Sequence, residues 1–368
     1  MRAHPAGPRH GEVIAAPSSP PRPDSAVELH NLDPAVWPAS ARREDGCIAV
    51  GGVSVKSLAA TYETPLFVLD EQDFRDRARA YTNAYADCDV YYASKAFLST
   101  RVAQWAHEEG LRIEVESGGE LAVALLGVHS HIGSQIFDAA GFEVAASRAV
   151  ALLAKLGVEF GFVAEELNLG GGMGIAYVSA DDPLQVTDMA DQIRAVVSQA
   201  CEASGIPVPR LAVEPGRSIV GPVGITVYEV GTVKPVEISN GHVRTYVSVD
   251  GGMSDNIRTA LYDAEYTVTL ASRESTAPAM LARVVGKHCE SGDVVIRDAW
   301  LPSDLMPGDL LAVAATGAYC RSMSSQYNYI PRPAVVSTRD GESAVALRRE
   351  TEQDLLSLDP GAIQGVPS

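Results

Sequence analysis

The chain has 368 residues, 46% of them hydrophobic and 21% charged, and its 29 Lys and Arg against 47 Asp and Glu give a formal net charge of −18. That length suits two domains of ordinary soluble composition, and the acidic balance argues against nonspecific binding to nucleic acid or anionic lipid, which needs a positive field. No apolar run approaches the roughly 18 residues of a membrane span, and no basic start leads into a short apolar segment, so neither membrane insertion nor secretion is expected.

Residues 1–24, rich in Pro, Ala and Ser, read as a disordered leader, and 25–63 as an N-terminal segment associated with a later β domain. From Thr64 the pattern changes. TPLFVLD (64–70) is a β-rich run, 71–86 reads as a helix, DVYYASK (89–95) as a strand, and 100–109 as a helix ended by Gly110. LRIEVES (111–117), GVHSHIGS (127–134), ELNLGGG (166–172) and RLAVEPG (210–216) are further strands with helical stretches between them, including GGELAVAL (118–125). Strand alternating with helix predicts parallel βα units, whose chemistry collects at the C-terminal strand ends. We therefore expect a (β/α) unit over 64–217. After Arg217 the texture becomes all-β: ITVYEVGTV, TYVSVDGG, EYTVTL, ARVVGKHC, DVVIRD, DLLAVAA and SAVALRR are short strands punctuated by Gly, Pro, Asn and Asp. This predicts a β-sandwich or barrel-like domain over 218–368. The five cysteines (Cys47, Cys88, Cys201, Cys289, Cys320) are widely spaced and form no C-x-x-C, which fits a reduced, cytoplasmic chain better than a disulfide framework.

The strand ends carry the chemistry. Lys95 closes YYASK; in apolar surroundings such an amine loses its charge and becomes a nucleophile for a carbonyl. Gly170, Gly171 and Gly172 form a turn that lets backbone N–H groups approach an anion, and with Ile at 175 it is neither a dinucleotide fingerprint nor a P-loop. Glu214 and Arg217 in EPGR set a carboxylate and a guanidinium at one strand end. Singly these are ordinary: a surface lysine, a tight turn, a structural ion pair. Together they suggest a site for a phosphorylated aromatic cofactor, with a carboxylate to keep a ring nitrogen protonated. His129 and His131, at i and i+2 on a strand, leave open a rival of another class, a metal-dependent barrel hydrolase with H-x-H ligands. In the second half, Cys289 and Glu290 follow an apolar strand, and Arg258 and Tyr262 are spaced to share one helical face.

In YYASKAF, ESGGEL, HSHIGSQ, LGGGMGI, EPGR, DGGMSDNIRTALY, GKHCESGD and GAYCRSMSSQYN the chain resembles the fold-type III pyridoxal phosphate-dependent decarboxylases, and most closely the diaminopimelate decarboxylase family. The resemblance runs from about Ala26 to Asp359. It implies an alanine racemase-type (β/α) barrel followed by a β domain, a homodimer with active sites at the interface, and conversion of meso-2,6-diaminopimelate to L-lysine and CO2. By position it makes Lys95 the amine that joins the cofactor aldehyde and His131 the ring-stacking residue. Ser134, Gly170, Gly171, Gly172 and Arg217 would lie near the phosphate and other anionic groups, and Glu214 would face the pyridine nitrogen. Cys289 would be the proton donor, acting across the dimer with Glu290, and Tyr319 would complete the pocket. Arg217, Arg258 and Tyr262 could serve a distal carboxylate and Glu290 a distal ammonium, which suits a substrate that is an amino acid at both ends rather than ornithine or lysine. Glu114 stands where relatives usually carry the shorter Asp.

One departure is large. A complete (β/α)8 barrel takes about 250 residues, and the stretch from 90 to 217 holds about half of that. The shortfall falls after Leu125, where GGELAVAL runs directly into LGVHSHIGS, and it amounts to about three βα units. The reading is therefore a shortened barrel, with a second possibility beside the active enzyme: an inactive relative that works only by pairing with a full-length subunit.

Overall fold

The computed structural model describes residues 21–114, 127–130, 133–138, 140–161, 163–237 and 243–359. Most of the expected leader, the expected helix over 118–125 and His131 lie outside the described residues. The chain divides into two compact units, one of residues 1–71 with 223–368 and the other of residues 72–222.

The N-terminal segment forms a three-stranded meander, β1 (Arg42–Glu44), β2 (Cys47–Val50) and β3 (Val53–Ser54), then α1 (Val55–Tyr62) and β4 (Leu66–Asp70). All five residues of β4 are buried, as expected of a continuous apolar strand covered on both faces. It pairs antiparallel with β10 (Gly224–Glu237) and parallel with β16 (Ala334–Arg339). TPLFVLD therefore belongs to the β unit, and the junctions fall at 71/72 and 222/223 rather than at 63/64 and 217/218. The helix that follows at once, α2 (Glu71–Ala84), made the run look like the first βα pair.

The second unit continues with β5 (Asp89–Ala93), α3 (Thr100–Glu108), β6 (Arg112–Glu114), β7 (Gly127–His129), α4 (Ala140–Phe160), β8 (Glu166–Asn168), α5 (Val186–Ser204), β9 (Arg210–Val213) and the short α6 (Arg217–Val220). Its strands form one parallel sheet in the order β6-β5-β9-β8-β7. The helices cover one face with helical-period apolar stripes. Met189, Ala190, Ile193, Val197 and Cys201 are the buried positions of α5, and Phe74 of α2 packs against Tyr92 and Trp105 with ring centroids 5.6 and 5.5 Å apart. Burying an aromatic or large aliphatic side chain of this kind contributes about 2 kcal/mol. Ser99 caps α3 by accepting from the Val102 N–H (3.3 Å), and Gly205 ends α5 in the left-handed region.

After β10 the chain adds β11 (Val243–Val249), α7 (Arg258–Tyr262), β12 (Val268–Leu270), β13 (Ala279–Val285), β14 (Val294–Pro302), β15 (Leu310–Val313), β16, β17 (Glu342–Leu347) and α8 (Glu352–Leu356). With β4 these strands make a nine-stranded sheet in the order β14-β13-β11-β10-β4-β16-β17, with β15 joined to β10 and β12 to β15. The 14-residue β10 is the pivot. Its first half pairs with β4 and β15 and its second half with β11, with an irregularity between Val230 and Val233 inside the β11 pairing. The β1–β3 meander, α1, β16 and α8 are absent from the sequence reading, although AVVSTR is a good strand sequence.

Candidate active site

In the parallel unit, register decides which side chains meet. Residues paired on neighbouring parallel strands point to the same face, as do residues two apart on one strand. His129 pairs with Asn168, Asn168 with Ala212, and Ala212 with Asp89. His129, Asn168 and Glu214 therefore share the face turned away from the helices, and exposed Lys95, in the turn just past β5, acts electrostatically on both His129 and Glu214. Glu214 is the centre of the group. Its side chain is only 6% exposed; Asn168 Nδ2–H donates to its Oε1 at 2.8 Å, and His129 Nε2 lies 3.2 Å from the same oxygen. Burial by itself would push the Glu214 carboxyl up, yet the bonds from His129 and Asn168 and the nearby Lys95 charge hold it below the ordinary glutamate value. The hydrogen bond to Glu214 in turn raises the His129 imidazole above its usual value.

The glycine turn is locked to the same place. Gly170 donates to Asn168 Oδ1 (2.8 Å), and Glu214 N–H donates to the Gly170 carbonyl (2.9 Å). A Cβ on Gly171 would stand 2.2 Å from the Glu214 carbonyl oxygen, and one on Gly172, whose φ is +102°, 2.3 Å from the Gly133 carbonyl oxygen. No side chain fits at either position. The Gly171 and Gly172 N–H groups have no hydrogen-bond acceptor among the described residues, which leaves them able to hold an anion. Ser134 is exposed beside the segment whose Ile136 bridges to Met173. Arg217 opens α6, stacks over the Tyr177 ring at 5.9 Å and donates to the Tyr177 hydroxyl.

The same face carries charge at its other end. Arg210 pairs with Asp89 (3.1 Å) and Glu166 (2.9 Å), and Arg112 with Asp89 (2.9 Å). Arg112 and Arg210 are 56% and 51% exposed, so this end of the face reaches solvent among the described residues, whereas Glu214 at the other end is buried.

The β unit holds the remaining candidates in two groups. Arg258 is 7% exposed and bonds and stacks on Tyr266, whose hydroxyl lies 3.5 Å from the sulfur of Cys320. Tyr319 precedes that cysteine in the left-handed region (φ +62°). Tyr262, at the far end of the five-residue α7, is 60% exposed, so the expected common face of Arg258 and Tyr262 is divided between interior and surface. In the second group, buried His288 lies 2.9 Å from Ser254 Oγ, 3.2 Å from Asn328 Nδ2 and against the Tyr327 ring at 5.4 Å. The Tyr327 hydroxyl donates to Glu290 and holds its carboxyl below the ordinary value, and the Cys289 sulfur lies 3.5 Å from the same carboxylate. Sequence reasoning missed Asn168, Tyr177, Tyr266, His288 and Tyr327, and considered His129 only as a metal ligand. His288, Asn168 and Tyr327 all lie inside motifs it had singled out.

The comparisons bear on this arrangement. Residues 71–126 and 122–221 match a family model described as the pyridoxal binding domain of pyridoxal-dependent decarboxylases. A diaminopimelate decarboxylase of Mycobacterium leprae is 42% identical, aligned over 98% of this chain and 100% of that one. The enzyme of that name from Bacillus subtilis is 35% identical over 87% and 97%. Among solved structures, diaminopimelate decarboxylase from M. jannaschii superposes with a TM-score of 0.75 at 23% identity, covering 89% of this chain and 98% of that one, a likeness of fold. These findings set aside the H-x-H hydrolase, and the chain belongs to the diaminopimelate decarboxylase family of pyridoxal-dependent decarboxylases.

Proposed function

We propose that the protein decarboxylates meso-2,6-diaminopimelate to L-lysine and CO2 with pyridoxal phosphate as cofactor. The observation that carries this is the 42% identity with a diaminopimelate decarboxylase over nearly the whole of both chains. The residues present fit the cofactor. A cradle closed to any Cβ and offering N–H groups lies beside a buried carboxylate whose two described donors both act on Oε1, which leaves Oε2 for a ring N–H. When bound, pyridoxal phosphate supplies the electron sink for the pair left on the α-carbon as CO2 departs. Lys95 would hold the cofactor by its aldehyde and Glu214 would keep the ring nitrogen protonated, while His131, outside the described residues, is assigned to the ring by the family resemblance. Ser134, Gly170, Gly171, Gly172 and Arg217 bind the anionic groups. Cys289 gives the proton that replaces the lost carboxylate. Arg217, Arg258 and Tyr262 pair with the distal carboxylate, Glu290 with the distal ammonium, and Tyr319 closes the pocket. The working form is a cytoplasmic homodimer in which Cys289 and Glu290 serve the partner's site.

We further infer that the barrel lacks about three βα units after Leu125. The strand order supports this, since the two outer strands, β6 and β7, are consecutive among the described residues. So does the alignment with the M. leprae relative, which spans 470 positions against the 368 residues here. The exposed inner-face arginines favour a second reading, in which the shortened chain is inactive alone and acts only beside a full-length subunit.

The test is CO2 release from meso-diaminopimelate, L-lysine and L-ornithine by the cofactor-loaded protein. Turnover of the first alone is expected. Equal turnover of the others would overturn the substrate assignment, and no turnover by a folded, loaded protein would favour the second reading.

A further inference from the structure

Asn168 is the last residue of β8 and touches two parts of the site at once. Its Nδ2–H donates to Glu214 Oε1 at 2.8 Å, and its Oδ1 accepts the Gly170 N–H at 2.8 Å. The backbone supports the same link, because Leu169 N–H donates to the Ala212 carbonyl and Glu214 N–H to the Gly170 carbonyl. An amide is the group that can do this: it donates to a carboxylate from one side and accepts a backbone N–H on the other. Alanine could do neither. Aspartate would keep the acceptor but set a second negative charge within hydrogen-bond distance of Glu214, where like charges disfavour ionisation. The described charged groups acting on Glu214 are His129 from β7 and Lys95 beyond β5, with Glu114 of β6 acting on His129. Asn168 is thus the neutral donor among them.

We propose that Asn168 is a positioning residue, coupling the orientation and charge of the Glu214 carboxylate to the glycine turn so that ring-nitrogen contact and anion contact are set together. This rests on the pyridoxal phosphate reading of the site.

The experiment has two arms. In the cofactor-free protein, the carboxyl carbon of Glu214 is followed by NMR against pH in the wild type, Asn168→Ala and Asn168→Asp, with thermal melting to check folding. The Glu214 midpoint is expected to rise by about one pH unit in N168A and further in N168D, one unit being a tenfold change in the ionisation equilibrium. In the second arm pyridoxal phosphate is titrated into each protein, and about tenfold weaker binding is expected in both variants. An unchanged Glu214 midpoint and wild-type cofactor affinity in folded N168D would overturn the proposal. A wild type that binds no cofactor, while the Glu214 midpoints shift as expected, would remove the pyridoxal phosphate reading and leave the Asn168–Glu214 coupling standing.

Discussion

The two units of this chain solve the burial of a sheet differently. In the β unit, β4 is paired on both edges and buried along its whole length. In the parallel unit, β6 pairs with β5 alone among the described residues, and arginines on the face away from the helices reach solvent. Yet it is the open sheet that holds Lys95, the glycine turn and Glu214. A site at the ends of parallel strands needs its own strands to be contiguous, and β5, β9, β8 and β7 are consecutive neighbours. Register among those four places His129, Asn168 and Glu214 on one face, with Lys95 in the turn that follows β5.

The largest effect that would sharpen this contrast lies in the β unit. Asp255 is buried with the Tyr228 hydroxyl and the Gly252 N–H as partners, and burial pushes its carboxyl up to about 7. A raised carboxyl pKa means stability that is complete below the ordinary value and lost as pH rises through the folded one. The stability of the wild type relative to Asp255→Asn should therefore fall from pH 4 to above pH 7 by about 4 kcal/mol. A difference between wild type and variant that is flat across the window would contradict the assignment. A smaller effect belongs to the glycine turn. Gly171→Ala drives a methyl into the Glu214 carbonyl and should cost about 2 kcal/mol, with cofactor affinity lost before the β unit responds. The smallest separates an open face from a sealed one. If this end of the face is solvated, Arg210→Ala should leave the denaturant midpoint nearly unchanged. A large drop in the midpoint would instead mark a buried ion pair and a covered face.

Much of this was legible in the sequence wherever the signal was local. Alternation of strand and helix located β5, β6, β7, β8 and β9, and the polar residues at their ends drew attention to Lys95, Gly170–Gly172, Glu214 and Arg217 as site candidates. What the sequence hid depends on pairing between distant segments. β4 reads as the start of a βα unit but joins β10 and β16, far along the chain. Asn168 looks like any residue before a glycine turn until the β8–β9 register brings Glu214 to it. Tyr262 and Arg258 satisfy helical spacing, but a five-residue helix does not hold both against the interior.

The most direct test of whether four contiguous strands suffice is a pyridoxal phosphate titration of the purified protein, following its visible absorption band, with Lys95→Ala as the control. A saturable band in the wild type that is absent from folded K95A is the expected result. A folded wild type that gives no band, or a K95A protein that gives the same one, would contradict it.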